Sequence, residues 1–431
     1  MNCETPMVQS PRRDTRISSL RRILVAAALA LAVLLLLQQF GRLLVDRSRM
    51  TPDDFVEYWA AGRLNLRGLN PYDADNLFPL EQDAGRQSFP LDSSGRESAI
   101  MMWNPPWTLT VAMPLGWLDA RLGQLIWLLL NLAVILFCAD WTWTYYHGRS
   151  TYRWLPLALM LTFIPTTLVL RAGQIGPLIL LGVVGFLHFE KQGRLLLAGA
   201  ACVLIAIKPH LLFLFWIALM LWALGPWTDA RAQAARARSR VLTGGMLTGL
   251  VATIVPILFN PEVCQQYWFA VTRHPPEEWV SLTIGAILRL LFGAGLLWLQ
   301  LVPAIPALIW FGFHWRKHHA NWAWGEQMPL LVLVSFLTTF YGAWPFDLVI
   351  LLLPVIQVAV WAVEVKSLRM TALVMYLAID LTAVILNAAK VTSIWFIWMT
   401  PTILACYLSL RADRSIDETS GVIRTTQLPS R

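Results

Sequence analysis

Charge is scarce in this sequence. Only 14% of its 431 residues are Asp, Glu, Lys or Arg, against 57% hydrophobic, where a soluble domain carries roughly 25% charged residues. A soluble fold of this length cannot hide so much apolar surface, so lipid must be the solvent for much of the chain. Patterned cysteine is missing too. Cys138, Cys202 and Cys406 lie in apolar runs, Cys3 is near the start and Cys264 is alone in a loop. No CxxC or Cys/His spacing points to a metal or a disulfide framework. There is no Walker loop, no Gly-rich dinucleotide fingerprint after a strand, no HExxH and no Gly-x-Ser-x-Gly. ATP-driven transport and soluble-type hydrolysis have no support, and neither a cofactor nor a metal is indicated.

What is present is a series of apolar runs. A span needs about 20 mostly apolar residues to cross roughly 30 Å of hydrocarbon. The candidates are 23–45, 122–142, 155–170, 174–189, 195–207, 210–225, 241–259, 294–313, 328–342, 347–363, 370–387 and 393–410. The fold class expected is an all-α polytopic transmembrane bundle of about 12 spans. Several central runs are short and joined by turns, as in broken helices around a cavity. Five arginines precede the first run, as in a signal peptide, but no small-residue cleavage site follows, so a retained first helix is expected.

The net charge of +8 does not imply nucleic acid, because the basic residues form no single patch. They recur in short clusters between apolar runs. With a cytoplasmic start, 21 of the 34 Lys and Arg fall on inside segments and 12 outside, seven of those in one long loop, while Arg42 lies in the first span. The positive-inside rule then puts both termini in the cytoplasm, as a basic tail 1–22 and a tail 411–431 around a membrane domain 23–410. The first outer loop covers 46–121 and the second covers 260–293. Within the first, the apolar stretch 103–118 carries Pro105, Pro106 and Pro114 and reads as an interfacial or re-entrant helix.

The unusual polar residues lie on the outer face. Asp53, Asp54 and Glu57 open a helix after Pro52, where carboxylates suit the positive dipole end. They can be solvated helix-start charges, or one can sit at the mouth of a membrane cavity and take a proton from a hydroxyl. Asn70-Pro71-Tyr72-Asp73 reads as a turn. Asp73-Ala-Asp75 looks like a nucleotide-sugar metal clamp, but nucleotide sugars are cytoplasmic and this loop is outside. Arg171 and Gln174 lie at one outer turn, and Lys208-Pro209-His210 at the next. Cations at that depth either snorkel to the interface or form a pocket for a phosphate, where broken backbone at Gly173 and Pro209 adds free N–H groups. Asp347 opens an apolar run, as a helix cap would.

Taken in order, these segments resemble glycosyltransferase family 87 of the GT-C superfamily. The segment Asp54-Phe-x-x-Tyr58-Trp59-x-Ala-Gly-Arg63 with Asn70-Pro-Tyr72 is similar to that family's first outer loop. Asn104-Pro-Pro with Met113-Pro-Leu, Gly173-Gln174-Ile-Gly-Pro177, Ala198-Gly with Ala206-Ile-Lys208-Pro209, Trp279-Val-Ser-Leu with Arg289, and Tyr341 with Asp347-Leu-Val resemble its later blocks. Two positions depart from the pattern: Val280 stands where Asn is frequent, and Phe346-Asp347 where some members have paired His. The resemblance covers about 300 residues, from 54 to 354. It implies an inverting enzyme, most simply of the bacterial inner membrane. Such an enzyme moves a sugar, often mannose, from a polyprenyl-phosphate donor to a lipid or glycan acceptor on the outer face.

Carried onto this sequence, the base is Asp54, with Asp53 as the fallback. Lys208, Arg171, Arg289 and His210 are expected around the donor phosphate. Tyr58, Trp59, Arg63, Tyr72, Asn104, Gln174 and Asp347 are expected around sugar or acceptor. The rival reading is a transporter or flippase of a lipid-linked or amphipathic solute. Against it, the polar residues cluster on one face around one long loop rather than serving access from both sides.

Overall fold

The computed structural model describes residues 53–86, 89, 95–225, 232–273 and 281–419. The basic tail, the span expected at 23–45, Arg231, and Trp279 with Val280 lie outside the described residues, as does the end of the C-terminal tail from 420. Asp53 is the first residue of its helix, and its side chain is likewise outside what is described.

Turn chemistry sets the first elements. Helix α1, Asp53–Leu66, starts just after Pro52, a residue suited to helix starts. Helix α2, Ala74–Asp83, begins at the turn read from Asn70-Pro-Tyr-Asp: the Asp73 carboxylate caps it by accepting from the Asp75 N–H. This is the capping role that a residue at the end of that turn suits. The proline-rich stretch becomes a 3₁₀ turn, Pro106–Thr108, and the short helix α3, Leu109–Gly116. Helix α3 lies against α1, and Cβ atoms added at Gly62 or Gly116 would strike the opposing backbone.

Every expected span from residue 122 onward has a helix over it. Helix α4 is Ala120–Tyr145, capped by the Asp119 carboxylate. Helices α5, Trp154–Thr162, and α6, Ile164–Ala172, meet at Phe163 with a bend of 56°. Next come α7, Gly176–Lys191; α8, Leu195–Ile205; and α9, Phe213–Leu224, led in by the 3₁₀ turn Pro209–Leu212. Helix α10, Ala232–Phe259, is followed by two short helices in the second outer loop, α11, Val263–Arg273, and α12, Ile284–Phe292. The chain ends with α13, Ala304–His318; α14, Trp324–Thr338; α15, Leu352–Glu364; α16, Leu368–Ala388; and α17, Met399–Thr419. Every regular element among the described residues is helical.

Six helical segments are long and apolar enough to cross a bilayer: Ala120–Tyr145, Arg238–Phe259, Leu297–Asn321, Asp347–Glu364, Leu368–Ala388 and Ser393–Arg414. The bent pair α5–α6 makes a seventh if taken as one span. The protein is an integral membrane protein. Helices α7, α8, α9 and α14 run only 11 to 16 residues, short of the ~20 a full crossing needs. Helices α7, α9 and α14 meet in the interior, where Phe186, Phe215 and Trp324 pack edge to face or tilted with centroids 4.9–5.6 Å apart. Helices α10 and α16 instead expose long apolar stripes, such as Met370, Leu373, Val374, Leu377 and Leu381. Such stripes belong against lipid, where every backbone polar group is satisfied within the helix.

Two features hold the bent and crossing helices. The Asp380 carboxylate on α16 accepts the Ile164 N–H at 3.1 Å, just where the α5–α6 break frees it. Helices α8 and α10 cross at glycine: a Cβ on Gly199 would run into the Val241 carbonyl, and one on Gly244 into that of Leu196. Small residues at such a crossing let backbones touch. Gly199→Ala is therefore expected to force the helices apart and cost about 1–3 kcal/mol, as overpacking does. Thermal unfolding in detergent would measure it, with Gly312→Ala as control because nothing lies within 4 Å of a Cβ there. Equal midpoints for the two variants would contradict this close packing.

Candidate active site

The breaks in the interior helices converge on one polar cluster. Helix α6 ends at Gly173, whose φ of 71° lies in the left-handed region that glycine adopts without strain. The Trp127 indole N–H of α4 donates to the Gly173 carbonyl at 2.6 Å and fixes this turn. Gln174 follows and is buried. Lys208 ends the linker after α8, and Pro209, which has no N–H to give, opens the next turn there. Asp347 begins the 3₁₀ turn Asp347–Leu351 that leads into α15.

Lys208 Nζ donates to Asp347 Oδ1 at 2.8 Å and to Gln174 Oε1 at 3.3 Å, and stands 5.2 Å from the Phe346 ring centroid. The lysine side chain is 12% exposed and the aspartate fully buried. Asp347 Oδ2 accepts the Trp344 N–H at 3.1 Å. The carboxylate therefore neutralises the lysine instead of capping its own helix. An ion pair this deep needs such extra hydrogen bonds to offset desolvation.

Helix α1 brings its carboxylates to the same place. Asp54, Glu57 and Tyr58 share one face by their spacing of three and four. The Tyr58 hydroxyl donates to Gln174 Oε1 at 2.8 Å, and the Gln174 amide donates from Nε2 to Glu57 Oε1 at 3.5 Å. Glu57 is buried and Asp54 half-buried. Burial, and next the charge of Asp54, hold Glu57 well above the ordinary carboxylate range, while Lys208 pulls the other way. Burial likewise lifts the Tyr58 phenol, with Glu57 adding to it. From α2, Glu81 pairs with Arg86 at 3.2 Å and accepts the Ile100 N–H; burial pushes its pKa up to about 7 against the pull of Arg86.

Of the residues expected from sequence, Tyr58, Gln174, Lys208 and Asp347 are in contact here. Asn104 and Tyr72 are adjoining. The Asn104 amide donates to the Ile207 carbonyl beside Lys208, and the Tyr72 hydroxyl donates to the Asn104 carbonyl. Other expected residues point elsewhere. The Trp59 indole and the Arg63 guanidinium both donate to the Leu118 carbonyl, on the α1 face that meets α3 and the turn before α4. Arg171 is exposed on the last turn of α6. Arg289 is buried, with Nε donating to the Ala294 carbonyl at 2.8 Å. The His210 ring packs on Tyr341, with centroids 5.5 Å apart, under the Gly342 turn.

Two members were not singled out from sequence. Glu57 reads as a third helix-start charge; its spacing from Asp54 and Tyr58 was the available signal. Glu81 gives none, since its partner Arg86 comes after a turn. Among the described residues no group of His, Cys, Asp or Glu could hold a metal ion. The cluster offers a half-buried cation for an anion, carboxylates for proton transfer, and amide and phenol groups for a polyol. Residues 103–386 match the family model described as glycosyltransferase family 87. No curated protein and no solved structure matches the chain.

Proposed function

Because the chain belongs to glycosyltransferase family 87, and so is a membrane glycosyltransferase, we propose that it moves a sugar, mannose in the simplest case, from a polyprenyl-phosphate donor to a lipid or glycan acceptor on the outer face, with inversion. A single observation supports this: a half-buried lysine, Lys208, hydrogen-bonded through Gln174 to the carboxylate-bearing face of an outer-loop helix. The donor keeps its tail in lipid and its phosphate at the depth of Lys208. Asp54 takes the proton of the acceptor hydroxyl. The freed oxygen pair bonds to the sugar's anomeric carbon as the bond from that carbon to the phosphate oxygen breaks. Its electron pair stays on the polyprenyl phosphate, whose developing charge Lys208 stabilises. Gln174, Tyr58 and Asn104 would hold the sugar. The GT-C architecture, both termini in the cytoplasm and an outer 46–121 loop belong to this proposal.

Purified protein given a synthetic polyprenyl-phosphate mannose and extracted membrane lipids should produce a mannosylated lipid and free polyprenyl phosphate. Turnover with no polyprenyl-phosphate sugar, whichever sugar is offered, would sink the reading. In a background without native cysteines, an outside reagent should label Asp83→Cys and spare Ala235→Cys; the reverse would overturn the orientation.

A further inference from the structure

Glu57 has no role in the scheme above, yet it is among the most enclosed ionisable groups at the site. We propose that Glu57 is a positioning residue: its neutral carboxyl holds Gln174, and through it Lys208, in register without adding a negative charge beside the lysine. This rests on the reading of Asp54 as base and Lys208 as phosphate ligand.

The amide geometry carries the first half. Gln174 Oε1 is met by three donors, the Tyr58 hydroxyl at 2.8 Å, Lys208 Nζ at 3.3 Å and the Ile175 N–H at 3.4 Å. The oxygen must therefore face them, and Nε2 must face Glu57. Glu57 accepts that N–H at 3.5 Å. A carboxyl oxygen accepts it whether or not the group is protonated, so no charge is needed for the contact.

The surrounding charges carry the second half. Glu57 is 6% exposed. Among the described residues no Lys or Arg lies within ion-pair distance of it, and the nearest cation, Lys208, is already paired with Asp347. Facing Glu57 are Asp54 and Tyr58 from its own helix, Glu81 from α2, Lys208 from the linker after α8 and, beyond Lys208, Asp347 from the turn before α15. Burial, first, and the two nearby carboxylates favour the neutral form; Lys208 and the Tyr58 hydroxyl oppose them without overcoming the burial. An ionised Glu57 would add a second negative charge beside the lysine and repel the donor phosphate. Donor binding should then fail at alkaline pH as Glu57 ionises.

Glu57→Gln fixes the neutral form while keeping an oxygen to accept from Gln174. It should turn over within a few-fold of the parent near neutral pH and lose the alkaline fall in kcat/KM for the donor. Glu57→Ala removes the acceptor and should lower kcat/KM by at least about tenfold at all pH. A merely packing glutamate would give no change in the pH profile. An unchanged alkaline limb in Glu57→Gln overturns the proposal, as does inactivity equal to that of Asp54→Asn, or a Glu57→Gln protein that does not fold.

Stability gives a readout independent of turnover. A carboxyl raised on folding binds more protons folded than unfolded between its two pKa values, so stability falls as pH rises through that window. The thermal midpoint of the parent should drop more from about pH 6 to about pH 9 than that of Glu57→Gln. Equal drops overturn the neutral carboxyl. If instead Asp54→Asn keeps the parental rate while this difference holds, the catalytic scheme fails and the neutral Glu57 survives.

Discussion

Asp54→Asn is expected to slow single-turnover sugar transfer by at least about 10²-fold, since a positioned base contributes about 10² to 10⁴ in rate. Donor affinity should stay within a few-fold, because the base acts on the acceptor. The substitution keeps size and hydrogen bonding and removes the basic lone pair. Asp54 suits the role by position. It is half-buried, one turn before Glu57 on the face that meets Gln174, and its charge is felt by Glu57, Tyr58 and Glu81. Its neighbours Glu57 and Glu81 are more enclosed, and burial biases both towards holding their protons. Asp53→Asn is the control, since both residues add equally to the helix-start charge. Parental rates for Asp54→Asn would remove it from the mechanism, and loss in Asp53→Asn alone would move the role by one residue.

The second large effect concerns Lys208, and the ion pair changes how it must be measured. Lys208→Ala would strand the Asp347 carboxylate, fully buried, at a cost of about 3–5 kcal/mol in folding stability. Lost activity in that variant would mix instability with lost binding. Lys208→Gln combined with Asp347→Asn removes both charges and keeps amides that can hydrogen-bond to each other and to Gln174. The double variant should fold in detergent with a midpoint near the parent's. Its affinity for polyprenyl phosphate should fall by about 10- to 100-fold, the worth of a charge-assisted hydrogen bond of about 1.5–3 kcal/mol. Unchanged affinity in a folded double variant would leave Lys208 only a structural partner of Asp347.

The sequence carried the parts of this architecture that rest on composition and local chemistry. Apolar runs marked the helices, and Gly173 and Pro209 marked the breaks, because φ > 0 and a missing N–H are properties of single residues. The turn at Asn70-Pro71-Tyr72-Asp73 was legible in the same way. Pairings over long separations were not legible. Asp347 reads as a helix cap until Lys208, 139 residues earlier, is seen against it. Trp59 and Arg63 share a motif with Tyr58, yet one residue along a helix is a rotation of about 100°, which turns them to the α3 side. Arg289 is expected around the donor phosphate, and its guanidinium bond to the Ala294 carbonyl is a contact the sequence does not show. A periodicity gives the face a residue is on, not what that face meets.

The Asp380 contact bears on how the chain enters the bilayer. A central aspartate in an inserting segment costs about 2.5–3.5 kcal/mol on the translocon scale. Its acceptor role is fulfilled by an N–H made 216 residues earlier in the chain. Helix α16 emerges from the ribosome long after α5 and α6, so the Ile164 N–H that its carboxylate accepts belongs to a segment made well before it. Synthesis order thus lets the earlier bend serve as a docking point for the later helix. Asp380→Ala would ease the entry of α16 but leave the Ile164 N–H without its acceptor, trading easier insertion for a less firmly held bend.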